Sequence, residues 1–176
     1  MPRIFGMQHL GYVLAREGQD EAGVALIRQA LASHLGKKGL TGSIALHALA
    51  RTYAHLRQPE DGLRAVAEAF DLVLETGEHQ WGLRLYRLKG ELLLMQQSPD
   101  PIQAEACFHQ ALAIARRQEA KSRELQAAMS LTHLWQQQGK HAEAYELLAP
   151  IYGWFTEGFD TADLKDAKAL LDELAS

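Results

Sequence analysis

Apolar residues recur along this chain at intervals of three and four, as in Leu10 and Leu14, or Leu46, Leu49 and Tyr53. That spacing returns side chains to one face of a 3.6-residue helix. No run alternates with period two over the length of a strand. Alanine, leucine, glutamine, glutamate and arginine, all good helix formers, dominate the sequence. The pattern predicts helices throughout, two to a unit, joined by short turns.

The pattern also repeats. Small residues stand at Gly11, Ala50, Gly90 and Thr132, in steps of 39, 40 and 42. Three residues after each comes a bulky one: Leu14, Tyr53, Leu93 and Trp135. A second small residue follows the first by 12, 12, 14 and 12 positions, at Gly23, Gly62, Ala104 and Ala144. Apolar residues then recur at Ile27, Val66, Phe108 and Leu148, and again at Ala30, Ala69, Ala111 and Ile151. Antiparallel helices approach closely only where a small side chain lets a bulky neighbour drop in. A fixed pattern at this period implies stacked units, each too small to bury its apolar face alone. On this reading Ala50 and Trp135 both belong to the core.

Turn residues fall between the predicted helices. Gly18-Gln19-Asp20, Gln58-Pro59-Glu60-Asp61, Ser98-Pro99-Asp100-Pro101 and Gly139-Lys140 close the four hairpins, and the third carries the two extra residues. Longer breaks lie at 36–42 and at Thr76-Gly77-Glu78, where Gly77 suits a left-handed C-terminal residue. Pro150 falls inside the last apolar run, where a kink is expected. A last amphipathic stretch, with Leu164, Ala167, Leu170, Leu171 and Leu174 on one stripe, reads as a helix capped by Asp160-Thr161 that covers the final repeat. The N-terminus has no equivalent cover. It enters the first repeat at Ile4 and Phe5, so the chain is expected either to continue a longer one or to pair with a second copy there.

Composition narrows the function. The net charge of −4 argues against generic binding to nucleic acid or anionic lipid. A single cysteine, Cys107, excludes an internal disulfide and suits a reducing, cytoplasmic compartment. No signal peptide or membrane-spanning run is present in the 176 residues.

Small, large, turn, small, large, alanine over a helical hairpin resembles the tetratricopeptide repeat, here with a period near 40 rather than the usual ~34. More specifically, LYRLKGELLL at 85–94 and the stretch AEACFHQALAIARRQ onward through 104–174 resemble the C-terminal tetratricopeptide region of large bacterial signalling ATPases. In that family the region follows an ATPase module, often behind a nucleotide-cyclase or DNA-binding domain; this chain carries neither ATPase nor cyclase. The expected fold is all-α: a right-handed α-α superhelix in one domain, 1–176. Its four hairpins fall over about 4–36, 43–77, 81–118 and 122–157, with a capping helix over 161–175.

The resemblance implies that first helices line a concave face. In this register the inward set is Gln8, Tyr12 and Arg16; His47, Arg51 and His55; Arg84, Arg87 and Glu91; and Gln126, Met129, His133 and Gln136. Four arginines and three histidines there oppose one glutamate in a chain that is acidic overall. Such a sign reversal suits an acidic peptide or a C-terminal carboxylate, which arginine pairs bidentately. The expected function is protein–protein interaction, as a scaffold or sensory module of a signalling ATPase or transcription regulator. The alternative is a small-molecule sensor that controls self-association, with a deep pocket near Tyr12, His47 or Arg87.

Catalysis finds little support. Gly36-Lys37-Lys38-Gly39-Leu40-Thr41-Gly42 lacks the order of a phosphate-binding G-x-x-x-x-G-K-S/T loop. The pairs His47/His55, His133/His141 and Cys107/His109 lack metal-ligand spacing, and no cofactor is implied. An enzyme would need a cluster of titratable groups in a closed cleft, and none is apparent.

Overall fold

The computed structural model of the protein describes residues 2–32, 40–77 and 81–176. Its elements are α1 (Pro2–Arg16), α2 (Asp20–Ala32), α3 (Leu40–His55), α4 (Pro59–Thr76), α5 (Gly82–Met95), α6 (Pro101–Arg117), α7 (Lys121–Gln137), α8 (His141–Tyr152) and α9 (Ala162–Leu174). No strand occurs among the described residues. The break at 36–42 lies largely outside them, as do the side chains of Ile4, Phe5 and Gln8. No helix among them is long and apolar enough to cross a membrane. The chain divides into two compact units, Met1–Asp100 with α1–α5 and Pro101–Ser176 with α6–α9.

In the first unit α3 packs on α1, α2, α4 and α5, and α5 also packs on α4. The notch between α1 and α2 is a backbone contact. A Cβ on Gly23 would stand 2.5 Å from the Gly11 carbonyl oxygen, and one on Gly11 would stand 2.7 Å from that of Gly23. One hairpin on, the contact is wider: a Cβ on Gly62 would lie 3.5 Å from the Ala50 oxygen and 2.7 Å from a Leu92 methyl. Ala50 is fully buried there, as expected. Around these crossings Ile27, Leu49, Ala50, Tyr53, Val66, Leu88 and Leu92 form one core drawn from α2 to α5.

The turns share a single hydrogen bond. The carbonyl of each bulky repeat residue accepts from the residue that precedes the next helix. Gln19 N–H bonds Leu14, Gln58 N–H bonds Tyr53 and Lys140 N–H bonds Trp135, each at 2.9 Å. In the third turn Asp100 N–H reaches Leu93 at 3.3 Å, so the two extra residues are absorbed without changing the acceptor. Gly18 and Gly139 supply the left-handed conformation in the first and fourth turns, with φ +83° and +75°. Arg57 takes that role in the second at φ 57°, at a steric cost of about 1–2 kcal/mol. Gly77 closes α4 at φ 73°, its N–H on the Val73 carbonyl at 3.0 Å, as the sequence predicts.

In the second unit α7 packs on α6, α8 and α9, and α9 also covers α8. Leu164, Ala167 and Leu170 of α9 are buried, so the amphipathic stripe covers the last hairpin as expected. Thr132, fully buried, forms the notch in polar form, its hydroxyl donating to the Ala144 carbonyl at 3.5 Å.

Two local expectations change, at Thr161 and Trp135, and Pro150 finds its place. Thr161 occupies the N-cap of α9 with extended backbone, but its hydroxyl donates back to Gly158 O at 2.7 Å instead of capping the helix. Pro150 sits in the last turn of α8, which stops two residues later at Tyr152. Trp135 is half-buried, its indole N–H donating to Glu105 at 2.9 Å, so it is an edge residue and not the core filler its position suggested.

Glu124 is the one buried carboxylate among the described residues, 4% exposed near the start of α7. It accepts from Arg116 Nε at 2.9 Å and Lys121 Nζ at 2.8 Å. Burial pushes its pKa up, but the two hydrogen bonds and the attraction of both cations outweigh that and hold it below the ordinary glutamate value. A carboxylate lowered on folding contributes stability above its unfolded pKa and loses it as pH falls through the folded one.

Melting experiments can read both the notch and the buried carboxylate. Gly23→Ala meets backbone and lowers stability by about 1–3 kcal/mol, whereas Gly6→Ala, with nothing within 4 Å, is neutral or stabilising by up to ~1 kcal/mol; thermal melts distinguish the two. In urea melts Glu124→Gln is less stable than wild type at pH 7. That difference shrinks towards zero as pH drops below the glutamate range; a gap independent of pH would assign the loss to packing.

Candidate functional site

Nine of the thirteen expected groove residues belong to the first unit, and of these the Gln8 side chain lies outside the described residues. Tyr12 and Arg16 stand on α1, His47, Arg51 and His55 on α3, and Arg84, Arg87 and Glu91 on α5. Steps of three and four within each helix place each set on one face. Gln126, Met129 and Gln136, half-buried, and His133, exposed, stand on α7 of the second unit, where Gln126 donates to Asp163 and Gln136 to Glu173 of α9.

Four of the nine meet in one cleft. Tyr12, His47, Arg51 and Arg84 line a cavity of about 220 Å³ across α1, α3 and the start of α5. His9, Ile44, Ala48 and Trp81 complete the lining. The cleft is built on cation–aromatic stacking. The Arg51 guanidinium carbon lies 4.5 Å from the Tyr12 ring centre, and that of Arg84 lies 4.8 Å from the Trp81 ring. Both fall within the range where the ring quadrupole attracts a cation. His47 tilts against Trp81 at 5.9 Å, and His55 meets Tyr12 edge-on at 6.5 Å. Stacking occupies the face of a guanidinium, whereas a carboxylate binds its in-plane N–H edge, so the two interactions are compatible.

The remaining expected residues stand apart. Arg87 pairs with Glu91 on its own helix at 2.5 Å, which cancels a charge assigned to the groove. Arg16 is exposed at the end of α1 and lies outside the cavity lining. His55 reaches the cleft only through Tyr12. Trp81 and His9 were missed by sequence reasoning. Trp81 opens α5 three residues before Arg84, a spacing that places both on one face. His9 is one position from the Gln8 assigned inward.

The charge of the first unit is sorted by helix. α1, α3 and α5 together hold six lysines and arginines against one acid, Glu91. α2 and α4 hold seven acids against two arginines, Arg28 and Arg64. The cleft lies on the net +5 set, opposed by a net −5 set in the same unit.

A roomier cavity, about 420 Å³, lies on the acidic side among Asp20, Glu21, Val24, Arg28, Tyr53 and Asp61. It adjoins another of about 300 Å³ that shares Arg28, Tyr53 and Asp61. Its arginine is engaged, since Arg28 donates to the Tyr53 hydroxyl at 2.7 Å. Among the described residues no group of three or more histidines, cysteines or acids is arranged to hold a metal.

No family model and no curated protein matches the sequence. Solved structures do. Two crystal structures of nearly identical TPR-like repeats, from a Podosopora anserina protein ascribed to the kinesin light chains, are similar to this chain. One, of a single-substitution variant, is 18% identical, with a TM-score of 0.77, over 98% of this chain and 84% of the other. The second, without that substitution, is 19% identical, with a TM-score of 0.75, over 98% and 85%. The fold is therefore that of a TPR-like helical repeat.

Proposed function

We propose that the first unit is a protein-interaction module whose cleft grips an acidic segment or a terminal carboxylate. Arg51 and Arg84 supply the charge, and Tyr12 and Trp81 hold their guanidinium planes in place. The observation that carries this reading is the pair of aromatic-stacked arginines on neighbouring helices of an otherwise acidic chain. Preorganised guanidinium groups lose less entropy on pairing, and bonds to a carboxylate contribute about 1.5–3 kcal/mol each. At about 220 Å³, the cleft is smaller than a small-ligand pocket, typically ~300–1,000 Å³. It suits one or two side chains of a longer partner. The resemblance of 85–94 and 104–174 to signalling ATPases supports a partner or parent of that kind, with the module acting as scaffold or sensor.

The small-molecule alternative moves to the acidic side, where the 420 Å³ cavity has the volume for a ligand. Its chemistry there would favour a cationic one.

Fluorescence anisotropy with a labelled acidic peptide, carrying a free or an amidated C-terminus, tests the main reading. Arg51→Glu and Arg84→Glu should each weaken binding about 10-fold or more, and added salt should weaken it further. Arg87→Gln, already neutralised by Glu91, should change it little. Unchanged affinity in the Arg51→Glu/Arg84→Glu double variant would remove the cleft from the function.

A further inference from the structure

We propose that the acidic segment taken by the cleft is the connection between α8 and α9 of a second copy of this chain. The inference rests on the reading of the cleft given above and names its partner. From residue 141 to residue 164 the chain holds five carboxylates, at Glu143, Glu146, Glu157, Asp160 and Asp163, and no lysine or arginine. Every strongly exposed large aromatic residue among those described lies in the same stretch: Trp154 at 57%, Phe159 at 46% and Tyr145 at 43%. An acidic run studded with exposed aromatics matches a cleft of arginines stacked on aromatics in both chemistries.

The segment is also presented as a loop with fixed geometry. Residues 153–161 leave the helical path between α8 and α9. Tyr152 and Phe159 pack across its base at 5.9 Å, and Gly158 turns it at φ +78°. The Thr161 hydroxyl ties back to Gly158 O. Trp154 stands more than half exposed, edge-on to Phe155 at 5.2 Å and with Lys121 Nζ 5.7 Å from its ring centre, and Glu157 and Asp160 are exposed in the same loop. A pre-shaped loop loses less entropy on docking than a disordered peptide. In the contact, Glu157 and Asp160 meet the in-plane N–H groups of Arg51, with the charge of Arg84 beside it, and an aromatic side chain of the loop adds apolar contact. Cleft and loop are different surfaces, so the association is head-to-tail and extends beyond a dimer unless a ring closes.

Sedimentation velocity of the full chain over a range of concentrations reads this directly. The expected weight-average mass rises with concentration and falls with added salt. The double variants Arg51→Glu/Arg84→Glu and Glu157→Arg/Asp160→Arg should each lose association while keeping the wild-type circular dichroism. Mixing the two should restore complexes, because each retains the half that the other lacks. A chain that stays monomeric at every concentration overturns the proposal. So does association that survives both double variants and is lost instead in Leu10→Lys, which would put the contact on α1. A peptide covering 152–161, tested by anisotropy beside an unrelated acidic peptide, separates the two readings. If only the unrelated peptide binds, the cleft keeps its function and the partner named here is wrong; if neither binds, both readings fail.

Discussion

Two backbones must come together before a helical hairpin can bury anything, and here the Gly11 carbonyl stands 2.5 Å from where a side chain on Gly23 would begin. That approach is available only to residues without a Cβ. It sets the separation of α1 and α2, and with it the depth to which Ile27 reaches the core. The later hairpins relax the constraint by degrees, through Ala50 with Gly62 and then Thr132 with Ala144. What does not relax is the turn. The carbonyl of Leu14, Tyr53, Leu93 or Trp135 closes each one, whatever its length. The bulky residue of each repeat thus has two duties: its side chain packs beside a notch and its backbone fixes where the next helix starts.

Much of this was legible because it is local. The notch period, the turn positions and the amphipathic stripe of α9 depend on residues a few positions apart. The expected capping helix over 161–175 differs from Ala162–Leu174 by one residue at each end. The site was less legible, because it depends on where long side chains go. Sequence position puts Arg87 on the same face as Arg84, yet one is spent on Glu91 and the other stacks on Trp81. Nothing in the spacing distinguishes those fates, since an i, i+4 acid and a ring at i−3 are both within reach. His9 against Gln8 shows the other limit: a register error of one position turns a side chain by about 100° around the helix. Trp135 shows a third, for a residue can keep its place in a repeat and still end at the edge of the core when a polar partner, Glu105, lies outside it.

The sorting of charge follows from the same architecture. α1, α3 and α5 lie side by side through α3, so their outward faces are adjacent, and arginines placed there act together. Arg51 and Arg84 are each held by a ring, which offsets part of the repulsion between two like charges in one cleft. The acids fall on α2 and α4, where Asp20, Glu21, Glu60 and Asp61 also sit in first turns and favour the helix N-termini. One distribution therefore favours helix N-termini on one set of helices and gathers the cations on the other.

On the reading proposed above, it also separates partners by range. Beyond about 10 Å, the Debye length near 0.1 M salt, the field of each set is largely screened, so the +5 and −5 sets of the first unit act only on what lies close to them. A long polyanion such as nucleic acid outreaches the basic set and meets acidic helices beyond it. A short acidic segment does not, because it fits within a screening length of the cleft and feels chiefly Arg51 and Arg84. An acidic protein can in this way keep an arginine-lined site without becoming a general anion binder. The size of the cleft, about 220 Å³, is in keeping with that reading, since it suits a carboxylate and its neighbouring side chain.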